Sequence, residues 1–377
     1  MRVLHLFSNY KWTGPAEPAV ALAASLREAG IDAVFRSSGY VKNAAVNHVV
    51  DKSAAWGVRP ITDLSLSKHR AFWLDVPDRR RLRRILADEK FDLVHCHLPN
   101  DMRIAARAAR DAGIPFVRTL YDTEPHRTPR ADLALMRRAA AVFVFSGGMR
   151  EALLGRGFDA ERVVQIDSAV DLERFRPGAD LPNLRSHLGF GPDDFVAGIV
   201  ARVQPQRRFD LLLDVAEEVS KQCPGFRLVV IGRGSKLARV ARTPARERGL
   251  LGRVVFFPGY FEGDEFPAVL RALDVKLFMV PGTDGTARAV REALASGVPV
   301  VCTRRGILPE LVHDGRNGYS VEESVPALSA ALLELWRDPE KRARMGEEAR
   351  RDACERFDLR KQVERVAATY ASVLGQS

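Results

Sequence analysis

The stretch MVPGTDGTARAVREALASGVPVVCTRRGILPE, residues 279–310, decides the fold. A short apolar strand runs into a glycine-rich loop that carries Asp284. A helix follows with a second acid, Glu292, and stops at Gly297-Val298-Pro299 before another hydrophobic strand. That order places two carboxylates and several helix-start N–H groups at the carboxyl edge of a sheet, where α/β proteins bind ligands.

The same alternation extends in both directions. Short hydrophobic segments at 2–7, 32–37, 92–97, 115–120, 141–146 and 163–167 alternate with amphipathic stretches such as PAVALAASLREAG, PDRRRLRRILADE and DMRIAARAARDAG. This is the pattern of a parallel sheet with helices on both faces. DLERFRPGADLPNLRSHLGFGPDDF (171–195) interrupts it with three prolines and three glycines. The pattern restarts at 195–202, 226–232, 254–259, 275–280 and 298–303, with a weaker strand at 318–321. From about 324 the chain reads as polar helix, broken near Phe357-Asp358. Two domains are expected, 1–177 and 178–357, and 377 residues suffice for two cores.

Composition excludes several classes. No apolar run approaches 18 residues, so no transmembrane helix is expected, and MRVLHLFSNY reads as a first strand and not a signal peptide. A cytoplasmic chain, at most peripheral on the inner membrane face, is the expectation. Cys96, Cys223, Cys302 and Cys354 form no CxxC pair, and the histidines have no HExxH spacing. Neither a disulfide framework nor a metal site is indicated, and no metal is expected. IGRGSK (231–236) has a G-x-G without the rest of the dinucleotide fingerprint, so no cofactor is expected there.

Asp284 and Glu292, with seven residues between them, resemble the donor-sugar signature of retaining glycosyltransferases of family 4, in which both acids are glutamates. The flanking EALASGVPV strengthens the likeness, which covers nearly the whole chain and is strongest over 194–320. It implies an α/β GT-B fold: two Rossmann-like domains facing an interdomain cleft, acceptor-binding over 1–177 and donor-binding over 178–357. The last helix, 358–377, is then expected to return to the first domain.

Residue by residue, the resemblance implies a nucleotide-diphosphate sugar as donor. Arg202 and Arg208, in ARVQPQRRFD, stand where the family has Arg and Lys on the diphosphate. Ala201 and Phe209 replace the family's flanking glycines, and Arg207 is either a surface residue or a further anion contact. Arg for Lys keeps the charge but turns a point donor into a fork. Asp284 takes the place of the acid that hydrogen-bonds the donor sugar, and an N-cap is its local alternative. The amides of Gly285, Thr286 and Ala287 would face the diphosphate, with Arg288 one turn on, and Glu292 would hold the ribose. Glu310 is expected to be structural.

His97 closes H-x-H-x-P-N (95–100), which the family places near the reacting centre, and His95 reads as a core histidine. Gly14 sits where many relatives have Gly-Gly, but Pro15 follows it and removes an N–H. Glu17 beside it is a candidate for positioning the acceptor.

The implied activity is retaining transfer without a metal ion to a saccharide or lipid-linked acceptor. The leaving phosphate takes the acceptor proton on the same face. A non-catalytic nucleotide-sugar-binding protein and a sugar-nucleotide epimerase or phosphorylase are the alternatives.

Of the net charge of +10, residues 51–150 carry a surplus of seven. On the helix PDRRRLRRILADEK, Arg79, Arg80, Arg83 and Arg84 share one face opposite Leu82, Ile85 and Leu86. Such a face suits an anionic membrane surface, with a solvated arginine face as the alternative. No aromatic-interleaved basic motif points to nucleic acid.

Overall fold

The computed structural model describes residues 1–41, 47–121, 128–178, 184–261, 263–280 and 287–375. The chain divides into two compact units. The first is Met1–Ala169 with the chain from Leu359 onward, and the second runs from Val170 to Asp358 among the described residues.

The first unit is built on β1 (Arg2–Phe7), β2 (Asp32–Ser37), β3 (Leu93–Cys96), β4 (Phe116–Thr119), β5 (Ala141–Val144) and β6 (Val163–Gln165). They form one parallel sheet in the order β2-β1-β3-β4-β5-β6. The second contains β7 (Phe195–Val200), β8 (Phe226–Ile231), β9 (Val255–Gly259), β10 (Val275–Phe278), β11 (Val300–Thr303) and β12 (Gly318–Val321). Their order is β12-β11-β10-β7-β8-β9, again parallel. The fold is therefore α/β with two Rossmann-like units, and every strand falls on a segment read from the sequence.

These segments become strands because a parallel sheet covered on both faces demands near-continuous apolar side chains. All positions of β3, β4, β5, β10 and β11 are buried. Each sheet reverses direction once: β1 has β2 on one side and β3 on the other, and β7 lies between β8 and β10. Loops leaving the carboxyl ends of β1 and β3, and of β7 and β10, therefore diverge and leave a crevice.

The change of unit falls between Ala169 and Val170, ahead of the boundary expected at 177/178. The reason is local: the Val170 N–H donates to the Phe357 carbonyl at 3.0 Å, and Phe175 is buried in the second core. The helix Leu359–Val373 buries Val363, Val366 and Tyr370 in the first core. The arginine-rich helix starts at Phe72, not at Pro77, and runs to Asp88 with Pro77 inside it. Asp75 holds the start by accepting the Ala71 N–H at 3.1 Å.

Candidate active site

In the second unit a cavity of about 860 Å³ opens at the carboxyl ends of β7, β8 and β10. Its floor depends on two glycines. Gly232 has φ +147°, and a Cβ there would lie 2.1 Å from the Ala201 carbonyl oxygen; a Cβ on Gly234 would lie 2.4 Å from that of Val203. The G-x-G of IGRGSK thus lets the turn after β8 pack against the turn after β7.

Arg202 follows β7 and lines the cavity with Arg207. Arg207 Nη1 donates to the Val280 carbonyl at 2.5 Å, which fixes the guanidinium beside the end of β10, and burial lowers its pKa. The rim carries Arg233 stacked over the Tyr260 ring at 4.2 Å. Two guanidinium groups over a glycine floor, beside a flat cation-aromatic pair, suit an anion joined to a planar base.

Arg208 is placed differently. It caps the helix Phe209–Gln222 with left-handed backbone (φ +55°), the conformation a glycine adopts freely. Its Nη1 pairs with Glu323, which also receives Arg305, and its Nε lies 3.2 Å from Asp210. The structure brings Arg202 and Arg207 together at the cavity and turns Arg208 toward carboxylates.

Asp284, Gly285 and Thr286 lie outside the described residues. Beyond them the helix Arg288–Ala295 begins with Ala287 at its N-cap position, fully buried. Arg288 Nε donates to Glu292 Oε1 at 2.9 Å, an i,i+4 pair with the carboxylate nearly buried. Glu292, expected at the ribose, and Arg288, expected as a further anion contact, are therefore partners. Lys276, on β10, is fully buried and donates to the Leu277 carbonyl at 2.9 Å. Burial pushes its amine down to about 7, against the pull of Glu292. Sequence reading passed over Lys276 inside VKLFMV, where a lone cation in an apolar run was the available signal.

In the first unit, His97 follows β3 and is fully buried. Its Nε2 shares a hydrogen bond with His5 Nδ1 at 3.0 Å, and its Nδ1 with the Tyr121 hydroxyl at 2.9 Å. His95, stacked on it at 4.2 Å, bonds the Tyr370 hydroxyl at 2.5 Å and Thr119 Oγ1 at 2.6 Å, as a satisfied core histidine does. Burial keeps all three histidines neutral: His5 is pushed down to about 3, and His95 and His97 fall well below the usual range.

Ring nitrogens of His5, His95 and His97 lie within 4.8 Å of one another. A metal there would have to displace these hydrogen bonds, with no carboxylate in the group to offset its charge. Asp101, which the sequence reading missed, ties this edge together. It accepts the Leu98 N–H at 2.8 Å and the Ser8 N–H at 3.2 Å, joining the exits of β3 and β1. Burial raises it to about 7, with Arg118 opposing. Gly14 is exposed with open space around it, and Glu17 is half-buried.

On the helix Phe72–Asp88, Arg80, Arg83 and Arg84 are exposed, whereas Arg79 is partly buried. Among the described residues no helix is long and apolar enough to cross a membrane.

Residues 181–352 match the family "Glycosyl transferases group 1", and residues 14–174 match "Glycosyltransferase Family 4". A GDP-mannose-dependent alpha-(1-6)-phosphatidylinositol monomannoside mannosyltransferase of Mycolicibacterium smegmatis is 28% identical over 305 residues, 76% of this chain and 78% of the relative. HepE of Anabaena, solved in complex with UDP, superposes with a TM-score of 0.81 at 21% identity, covering 99% of this chain and 100% of that one. A glycosyltransferase of Rickettsia africae superposes at 0.83 with 16% identity, over 100% of this chain and 99% of its own. At these identities the two structures show the fold.

Proposed function

The chain belongs to glycosyltransferase family 4, within the glycosyl transferases group 1, and from that premise we propose that it moves a sugar from a nucleotide diphosphate to a hydroxyl of a saccharide or lipid-linked acceptor. The transfer retains anomeric configuration and uses no metal ion. The observation that carries this reading is the pairing of Arg202 and Arg207 over the Gly232–Gly234 floor of the donor cavity. The M. smegmatis relative, whose name specifies GDP-mannose and a phosphatidylinositol glycolipid, supports a donor and acceptor of these classes.

In this reading the base lies against Arg233 and Tyr260, and the diphosphate meets Arg202 and Arg207. Glu292, oriented by Arg288, accepts from the ribose hydroxyls. As the sugar–phosphate bond breaks, the arginines stabilise the charge gathering on the leaving diphosphate. A leaving phosphate oxygen takes the proton of the acceptor hydroxyl, which attacks the face the phosphate vacates. Asp284 hydrogen-bonds the donor sugar and is not a covalent nucleophile, so the shorter acid alters which hydroxyl is held and leaves the reaction class intact. The exposed cations of the helix Phe72–Asp88 suit an acceptor carried at an anionic membrane surface.

Thermal shift with UDP-, GDP-, ADP- and TDP-sugars identifies the donor, because a ligand at a hundred times its Kd stabilises the folded state by about 2.7 kcal/mol. Transfer and donor hydrolysis are then measured for wild type and Asp284→Ala, with and without EDTA, and the product anomer is read by NMR. A protein that binds a nucleotide sugar yet neither hydrolyses it nor transfers from it across a broad acceptor panel is no transferase. An inverted product or EDTA-sensitive turnover overturns the retaining, metal-free chemistry.

A further inference from the structure

Phe72 and Trp73 are 69% and 75% accessible, the most exposed large apolar side chains among the described residues. Scattered surface aromatics need no explanation, but these two are adjacent, at the first turn of a helix, and the segment leading to them is fastened. Asp78 accepts the Ser65 and Leu66 N–H groups at 2.9 and 2.8 Å. Asp75 accepts the Ala71 N–H and, at 3.0 Å, Asn100 Nδ2. Asn100 also donates to the Ser67 carbonyl at 2.9 Å, and Ser67 Oγ to that of His69 at 2.7 Å. The pair is presented on a built ledge.

The same hydrogen bonds set the charge. Asp75 and Asp78, the acids of residues 68–84, are both buried, while Lys68, Arg70, Arg80, Arg81, Arg83 and Arg84 are exposed. What faces outward is two large aromatics flanked by six cations, of which Arg81 lies 3.8 Å from the partly exposed Asp63; the helix's exposed acid, Asp88, is at its far end.

We propose that Phe72 and Trp73 insert into the interfacial zone of an anionic lipid bilayer, with Lys68, Arg70 and the exposed arginines of their helix against its headgroups. Aromatic rings are favoured at the boundary between headgroups and chains, and clustered cations are drawn to an anionic leaflet. Stable anchoring takes both kinds of contact, and this surface supplies both. A second copy of the chain fits poorly, because a two-fold contact here would set six cations against six. The proposal rests on the surface-seeking reading of this helix given above and goes beyond it: the rings anchor, and the charges select the surface.

The test is vesicle flotation with phosphatidylcholine alone and with phosphatidylcholine mixed with phosphatidylglycerol. Wild type is compared with Phe72→Ser/Trp73→Ser and with Arg80→Ser/Arg83→Ser/Arg84→Ser. Wild type is expected to float with the mixed vesicles only, and the aromatic variant to lose about tenfold or more in partitioning. Trp73 reports insertion directly: lipids brominated on their chains quench part of the tryptophan emission of wild type, and that part disappears in Trp73→Phe, which keeps a ring in place.

If the aromatic variant floats like wild type while the arginine variant does not, the insertion is wrong and the electrostatic reading stands. If wild type ignores mixed vesicles, both fail. A wild-type dimer in sedimentation that the aromatic variant abolishes overturns the proposal in favour of self-association.

Discussion

The guanidinium of Arg208 is held by the carboxylate of Glu323, and Arg305 reaches the same carboxylate. Arg208, expected on the diphosphate, is thus engaged by an acid of its own unit, and a diphosphate would have to compete with that acid. Glu323→Gln is expected to tighten UDP or GDP binding by about fivefold, the scale of one partly screened charge pair. Arg208→Ala is expected to weaken it. Calorimetric titration at low and moderate salt reads both. Unchanged affinity in the two variants would remove Arg208 from the donor site and leave the anion to Arg202 and Arg207.

Lys276 makes stability depend on pH in a window where few groups titrate. Its amine is pushed down to about 7 in the folded chain from an ordinary value of 10.5. Between those values the unfolded chain binds a proton that the folded chain does not. Stability therefore rises with pH across the window, by at most about 1.4 kcal/mol per unit. Below it the buried charge is a constant penalty. Lys276→Met is expected to melt higher than wild type at pH 6.5 and to show a flatter dependence from pH 7 to 9. It is also expected to raise the donor KM, because Glu292 loses a neighbouring cation. Parallel melting curves for the two proteins would contradict the first expectation.

Acid acts on the other unit. His5, His95 and His97 are neutral in the folded state, each below its ordinary value of 6.5 because of burial. As pH drops through 6.5 the unfolded histidines take up protons that the folded ones refuse. Stability is whole above that point and falls below it, down to about 3 for His5, with a limiting slope of about 4 kcal/mol per unit for three groups. Urea unfolding at pH 7 and pH 5.5 measures the loss. His5→Leu removes one of the three groups and should lose less between the two pH values; an equal loss would show that acid sensitivity originates elsewhere.

Gly232→Ala forces a Cβ to within 2.1 Å of the Ala201 carbonyl at a backbone angle that disfavours side chains. The turns after β7 and β8 must separate, at about 2–4 kcal/mol, and the Arg202 side of the cavity moves with them. Nucleotide affinity should fall more than in Gly249→Ala, where φ is also positive but no atom lies within 4 Å. Equal effects in the two variants would mean that strain alone, and not the close approach, is at work.

The strands were legible because burial on both faces leaves so little choice of residue: FDLVHCHL and VPVVCT admit few other readings. Helix starts were less so. The arginine-rich helix begins at Phe72 because Asp75 and Asp78 bind a loop earlier in the chain, a contact no periodicity displays. Arg202 was legible as the residue leaving a strand at a switch point. Sequence reading favours Arg208 for the diphosphate and leaves Arg207 open, because which of two adjacent arginines turns inward depends on the Val280 carbonyl and on Glu323, far away in sequence. Asp101 and Lys276 were passed over for the same reason: their environment is assembled by other strands.

Tyr370, whose hydroxyl bonds His95 in the middle of the first sheet, has a consequence for biosynthesis. Six strands of that sheet leave the ribosome early, yet the helix that covers them is translated only after the entire second unit. The nascent amino-terminal module must wait, incompletely closed, with His95 lacking one partner and the sites of Val363 and Val366 open to water. A gene cut at residue 169 would strand it permanently in that unfinished state, so the two units, though each has its own sheet, are a poor choice for separate expression.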